Sequence, residues 1–239
     1  MSSWKVKRFW KSVKVTQGAA GFEVILDDRP LHTPGKQRLS VPSEALADAV
    51  AAEWRAVDKT VDPGLMPVTR AVNSAIDKVA PQFREVADMI AAYGASDLLC
   101  YRADAPTELV AGQAAAWDPW LDWAAHRFDA RLVVTTGIVP IAQPEPCLRN
   151  LAARVHACTA FELTALHDLV SISGSLVLGL AATEPDFDPE MLWQVSRFDE
   201  EWQSRLWGVD DEASVITEMK RLDFLSAHNF WELAQVPLT

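Results

Sequence analysis

A histidine and an aspartate adjoin at His167-Asp168, and a serine-rich run, Ser171-Ile172-Ser173-Gly174-Ser175, follows closely. Serine, histidine and carboxylate are the ingredients of nucleophilic hydrolysis. A nucleophile elbow, however, needs G-x-S-x-G on a strand-to-helix turn, and neither the glycine spacing nor the context fits. Neighbours on a helix do not share a face, so His167 and Asp168 are expected to point apart. Serines that let helices pack closely are the better account of this run. The remaining histidines, His32, His126, His156 and His228, form no H-x-x-x-H pair, so no metal site is expected. Neither G-x-G-x-x-G nor G-x-x-x-x-G-K-[ST] occurs, and no nucleotide or other cofactor is expected.

Carboxylates are dense at Asp199-Glu200-Glu201 and at Asp210-Asp211-Glu212. A glycosidase would set two acids across a sugar cleft. These runs lie on or beside a helix with no sign of a cleft, and a solvated acidic face is the plain alternative. No catalytic residue is assigned.

Composition narrows the partners. The chain has 239 residues, is 49% hydrophobic and carries a formal net charge of −11. It is long enough to bury a core in one or two domains. An acidic chain repels phosphate backbones and anionic membrane surfaces, so nucleic acid is a poor partner. The apolar run Leu169–Ala182 is interrupted by serine and glycine and is shorter than the ~20 residues a span needs, which excludes membrane insertion there. The three cysteines, Cys100, Cys147 and Cys158, include no C-x-x-C, and a reducing compartment fits them. Lys5, Lys7, Arg8, Lys11 and Lys14 break up any secretory segment, and recognisable fold begins by Phe9 or Val13. The expectation is a monomeric protein of the bacterial cytoplasm, or a mature organellar one.

The elements that would position a site follow from periodicity. Val13 and Val15, then Phe22, Val24 and Leu26 alternating with Glu23 and Ile25, predict strands around a turn at Gln17–Gly21. Further turns are signalled by Asp27-Asp28-Arg29-Pro30 and Thr33-Pro34-Gly35-Lys36. Leu46, Val50, Trp54 and Val57 mark a helix with Pro42 in its first turn and Ser40 or Ser43 as its cap. A second helix follows Pro67. A third starts at Pro81, with Phe83, Val86, Ile90 and Tyr93 as its stripe and Gly94 as its stop. Asp118-Pro119 reads as the cap and first position of a short helix carrying Trp120 and Trp123. Residues 132–141 look extended, and a helix follows from about Leu148. Leu163–Ala182 reads as one closely packed helix, Pro189–Leu206 as an acidic helix, and Asp211–Leu233 as the last. The fold class is α+β: a small β-rich N-terminal domain, 1–85, and a larger mainly helical C-terminal domain, 86–239.

On the acidic helix, Leu192, Val195, Phe198, Trp202 and Leu206 form an apolar stripe expected to be buried, with Glu200, Glu201 and Gln203 on other faces and Gly208 as the C-cap. The chain has 10 tryptophans. Most must be core, and one or two near the acidic groups would suit a client-binding surface.

Several motifs then occur in a definite order: Arg8-Phe9-Trp10-Lys11; Leu26-Asp27-Asp28-Arg29-Pro30-Leu31 with Thr33-Pro34; Glu53-Trp54; Met66-Pro67-Val68-Thr69; Ala75-Ile76-Asp77; Asp97-Leu98-Leu99-Cys100-Tyr101-Arg102; Gln113 with Trp117-Asp118-Pro119 and Leu121; and Ser196-Arg197-Phe198-Asp199-Glu200-Glu201-Trp202-Gln203 through Trp207-Gly208. Their succession resembles the mitochondrial and α-proteobacterial F(1)-ATPase assembly factors that chaperone the alpha subunit. The resemblance covers nearly the whole chain. It implies a two-domain fold, no enzymatic activity, and binding to the free alpha subunit of F-type ATP synthase until it pairs with the beta subunit. It implies a mitochondrial-matrix location for eukaryotic relatives, which carry a leader not expected here. It places the family's functional glutamate region at Glu200 and Glu201, with Asp199 adjoining. The surface expected to meet the client comprises Glu200, Glu201, Trp202, Gln203, Trp207, Asp210 and Asp211. A structural adaptor of a membrane-associated complex, and less so a hydrolase, are the alternatives.

Overall fold

A computed structural model of the chain describes residues 7–137, 139–208 and 211–235. These fall into two compact units, one formed by Met1–Phe83, Thr159–Ala165 and Asn229–Thr239, the other by Arg84–Cys158 and Leu166–His228. The fold is α+β, with an antiparallel sheet in the first unit and helices dominating the second.

In the first unit β1 (Val13–Gly18) and β2 (Gly21–Leu26) form the hairpin that the alternation predicts, in register from Val13 opposite Leu26 to Gly18 opposite Gly21. Along the other edge of β2 lie β3 (Arg29–Pro30) and β4 (Ser40–Val41). Val24 and Leu26 are buried, as period two requires, but so is Glu23 on the opposite phase. Its carboxylate pairs there with Arg38 at 2.8 Å. Asp27 turns the β2–β3 corner at φ 53°, and its carboxylate accepts the N–H groups of Lys11 (3.0 Å) and Ser12 (2.8 Å). Those bonds, that from Ser12 first, hold it below the usual carboxylate range.

Helix α1 (Glu44–Ala56) packs on β1 and β2 through Leu46, Ala47, Val50 and Ala51. Ser43 is its cap, accepting the Leu46 N–H at 3.1 Å. Ser40 instead lies in β4, and Pro42 precedes the cap rather than entering the helix. Glu53 reaches from α1 to the start of α2 (Pro67–Ser74), where it accepts Val68 N–H, Thr69 N–H and the Thr69 hydroxyl at 2.6–2.8 Å. A carboxylate here both fills orphan donors and meets the positive end of the helix. Asp77 does the same for the Thr33–Lys36 turn, accepting from Thr33 Oγ1 (2.6 Å) and Gly35 N–H (2.7 Å). The short motifs noted in the sequence are thus halves of hydrogen-bonded pairs.

The second unit departs further from expectation. The turn Ala80–Gln82 leads into α3 (Phe83–Ala91). Gly94 does not stop this helix, because the chain continues through a tight turn, Ala92–Ser96. Its role is close packing: a Cβ there would stand 3.3–3.5 Å from Leu176, Leu148 and Leu151. Helix α4 (Thr107–Phe128) runs straight through Asp118-Pro119. Pro119 sits inside it because Gln113, Trp117, Trp120, Leu121 and Ala124 bury one continuous face, which outweighs the lost hydrogen bond. Asp118 is not a cap but an ion-pair partner, 2.7 Å from Arg102.

Residues 132–137 and 139–141 are mostly irregular. Within them β6 (Thr135–Thr136) pairs in parallel with β5 (Tyr101–Arg102). Helix α5 (Glu145–His156) begins slightly before Leu148. Leu163–Ala182 is two helices, α6 (Ala160–Ser173) and α7 (Leu176–Ala181). Gly174 at φ 72° ends the first, since a left-handed residue cannot continue a helix. Ser175 caps the second, and α7 is buried all round. The expected acidic helix is likewise split, into α8 (Pro189–Ser196) and α9 (Phe198–Trp207), with Arg197 at φ −101° between them. Helix α10 (Asp211–Ala234) is as expected.

The α6–α7 break is fixed by Asp97, which is wholly buried. It accepts Leu99 N–H (3.0 Å), Ser175 Oγ–H (2.7 Å) and Val177 N–H (3.0 Å). Burial pushes this carboxyl above its ordinary range, and the three bonds oppose that shift. Next to it, burial and then the Asp97 charge push the Cys100 thiol up to about 12. Cys100, Cys147 and Cys158 are all free and buried.

Asp97→Ala strands three buried donors and should cost about 3 kcal/mol, read as a lower urea midpoint at unchanged slope. At pH 8 Cys100 is protonated, so iodoacetamide should label it only after unfolding, as mass spectrometry of native and urea-treated protein would show.

Candidate functional site

The serine run comes first, because its chemistry can be judged directly. His167 and Asp168 do meet, contrary to expectation, with Nδ1 2.8 Å from Oδ1 on the exposed side of α6. That bond raises the His167 pKa. No serine hydroxyl is aimed at the pair. Ser171 Oγ donates to Asp168 O (3.4 Å), Ser173 Oγ to Leu169 O (2.7 Å), and Ser175 Oγ to Asp97. These hydroxyls close backbone and carboxylate bonds in the α6–α7 corner. Among the described residues no group of His, Cys, Asp or Glu could hold a metal ion, and no helix is long and apolar enough to cross a membrane.

The α8–α9 corner is positioned by α4. Gln113, almost wholly buried, accepts Ala103 N–H with Oε1 (2.8 Å) and donates Nε2–H to Asp199 Oδ1 (2.8 Å). One turn on, Trp117 donates its indole N–H to Val195 O at 2.9 Å. Arg102 lies 5.2 Å over the Trp117 ring and donates to Leu99 O (2.9 Å) and Asp118. Phe198 meets Trp117 edge-on at 6.2 Å and lies against Gly112, where a Cβ would stand 2.5 Å from its Cζ. The first turn of α9 is therefore clamped by backbone, amide and aromatic contacts.

Beyond that turn α9 buries no residue. The stripe Leu192, Val195, Phe198, Trp202, Leu206 was expected to be buried throughout. The break at Arg197 shifts its phase, so Leu192 is buried, Val195, Phe198 and Trp202 are half-buried, and Leu206 is 61% exposed. Trp207 is 83% exposed. Of the other tryptophans described, Trp10, Trp117, Trp120, Trp193 and Trp231 are buried and Trp54, Trp123 and Trp202 half-buried. Gly208 caps the helix at φ 90°, donating its N–H to Ser204 O.

The acids are less free than their sequence suggests. Asp199 is held by Gln113. Glu200 pairs with Arg197 Nη1 at 2.6 Å, and Glu201 with Arg205 Nη2 at 3.4 Å. Such exposed pairs are weak and exchangeable. Gln203 is exposed. Asp210 lies outside the described residues, and Asp211 opens α10 with its side chain undescribed.

Four further exposed apolar residues were not singled out in the sequence. Val215, Ile216, Met219 and Leu222 are all more than half exposed on α10. Val215, Met219 and Leu222 recur at spacings of four and three and so share one face. That period is visible in the sequence, but periodicity cannot tell a stripe covered by the protein's own core from one left for a partner. In sequence, Leu206 and Trp207 close α9 and this face lies on the following helix α10, which also carries the Glu218–Arg221 pair (2.8 Å). Large apolar side chains left exposed among charged ones are what a protein-binding surface requires.

Comparison with known proteins accords with this geometry. Residues 7–125 match the family model of the ATP12 chaperone protein. The crystal structure of Atp12 from Paracoccus denitrificans is 48% identical, with a TM-score of 0.93 over 96% of this chain and 98% of that one. The chain belongs to the ATP12 chaperone family. An aspartate-to-lysine mutant of the P. denitrificans protein superimposes with a TM-score of 0.95, at 48% identity over 98% of this chain and 100% of that one. A candidate chaperone from Agrobacterium tumefaciens is 40% identical, with a TM-score of 0.91 over 97% and 87% of the two chains. In this member of the ATP12 family, Gln113, Trp117 and Gly112 contact the α8–α9 corner.

Gly112→Ala tests that clamp. Alanine in a helix interior normally stabilises by about 0.5–1 kcal/mol relative to glycine. Here the added methyl meets Phe198, and a loss of about 1–3 kcal/mol is expected by urea denaturation.

Proposed function

We propose that this chain is an assembly chaperone of F-type ATP synthase that holds the unassembled alpha subunit of the catalytic sector until the beta subunit takes its place. The observation that carries the reading is the exposed apolar surface of α9 and α10, built on Leu206, Trp207, Val215, Ile216, Met219 and Leu222 beside Glu200 and Glu201. Membership of the ATP12 chaperone family supports it.

The mechanism is one of cover and exchange. An orphan subunit exposes an interface that is buried in the finished complex, and such interfaces are large and apolar. Trp207 is the natural anchor, since an indole buries much area with few rotatable bonds. Glu200 and Glu201 can release Arg197 and Arg205 and pair instead with lysines or arginines of the client. Such exchange tunes specificity and association rate more than affinity. Asp210 and Asp211 continue the acidic rim in sequence. Release follows when the beta subunit competes for the same client face, and no step needs a reactive group on this chain.

Glu201→Lys should fold normally by circular dichroism, its side chain being exposed, yet capture purified alpha subunit on the order of tenfold more weakly in a pull-down. Trp207→Ser should weaken it at least as much, and wild-type capture should decline as salt rises. Normal capture by both folded variants would refute the assignment of this surface.

A further inference from the structure

The N-terminal unit has a surface that the client reading leaves unused. Phe9, Leu26, Arg29, Pro30, Leu31, His32 and Trp54 line a groove of about 400 Å³. Its walls are apolar and aromatic. Phe9 is 59% exposed and stands edge-on to Trp10 at 5.2 Å. Trp10 leans on Trp54 at 5.0 Å and donates its indole N–H to Trp54 O, so the wall is braced from behind. The indole N–H of Trp54 is itself buried without an acceptor.

The N-terminal segment that carries this groove is opposite in net charge to the rest of the chain. Residues 1–83 hold 12 lysines and arginines against 9 aspartates and glutamates, a net charge of +3. Residues 84–239 hold 10 against 24, a net of −14. Arg29 on the groove wall is exposed and makes no ion pair among the described residues. Lys11, two residues after Phe9, is also exposed. Lys7 bridges to Thr60, and Arg8 N–H donates to Lys59 O at 2.9 Å, so the exposed Lys7 and Lys59 are brought together next to Phe9. Arg55 Nη2 donates to Val13 O (3.4 Å), on the strand that also carries the exposed Lys14. Two acids, Asp27 and Asp28, line the hollow that adjoins the groove at Phe9, Leu26 and Arg29. Asp27 is occupied by Lys11 and Ser12, and Asp28 and Asp58 are exposed.

We infer that this groove is a second docking site, and that its occupant is a linear acidic peptide segment carrying one apolar side chain. The apolar side chain enters between Phe9 and Trp54, and the flanking carboxylates meet Arg29, Lys11 and the Lys7–Lys59 pair. A groove of this size has room for a leucine or phenylalanine side chain, which polyphosphate backbones lack, and the −14 of the remaining chain repels long polyanions. The inference stands apart from the α9–α10 surface and does not depend on the identity of the client bound there.

The test uses the full chain and a short fluorescein-labelled peptide of glutamates and aspartates around a central leucine, read by fluorescence polarisation. Saturable binding is expected, weakened on the order of tenfold by serine in place of that leucine, by Phe9→Ala and by Arg29→Glu. Arg29 is exposed, so Arg29→Glu keeps the fold should Phe9→Ala not. Glu201→Lys should leave peptide binding unchanged, which separates this site from the proposed client surface. The inference is overturned if the leucine is dispensable, if Arg29→Glu binds like wild type, or if a DNA oligonucleotide or phosphatidylserine vesicles bind as tightly as the peptide.

Discussion

Two side chains of α4, Gln113 and Trp117, tie down the α8–α9 corner, and much of the second unit's surface follows from that constraint. Gln113 is buried, so both ends of its amide must find partners, and it finds Ala103 N–H on one side and Asp199 on the other. Trp117 takes the carbonyl of Val195 just before the break at Arg197. With its first turn fixed in this way, α9 leaves Leu206 and Trp207 in water. An isolated exposed tryptophan would be unremarkable. Here it is presented by a clamped helix, so a partner meets it without first having to order it.

The same device recurs along the chain. Asp27, Glu53, Asp77 and Asp97 each accept two or more bonds from backbone N–H groups or hydroxyls of segments distant in sequence. A carboxylate bound by several donors is specific in direction, whereas apolar burial is not. These four residues therefore decide which loops lie where, while the leucines and valines of α1, α5 and α7 supply the burial. The chain uses its acids as internal connectors in both units and as an exposed rim beside α9 and α10.

Much of this was legible in the sequence, and the failures share one cause. The β1–β2 hairpin, α1 with its Ser43 cap, α2, α10 and the Gly208 stop could be read because a local rule sets each of them. Pro119 inside α4, and the breaks at Gly174 and Arg197, depend on what packs against the helix rather than on the helix itself. Gly174 did carry a local signal, whereas Arg197 carries none. His167 and Asp168 meet because exposed side chains can lean along a helix surface, which a rule about faces overlooks. For the candidate surface, Glu200, Glu201 and Trp207 were expected from the motif around them. Val215, Ile216, Met219 and Leu222 were not, because an amphipathic stripe looks the same whether the protein covers it or leaves it open.

The central claim is that a rigid, apolar surface with an acidic rim keeps an orphan subunit from aggregating. Co-expression of this chain with the alpha subunit alone, and separately with the beta subunit alone, tests it most directly through the soluble fraction of each. A marked rise in soluble alpha with no change in beta is the result this account predicts. An alpha subunit that precipitates equally with and without the chain would contradict it.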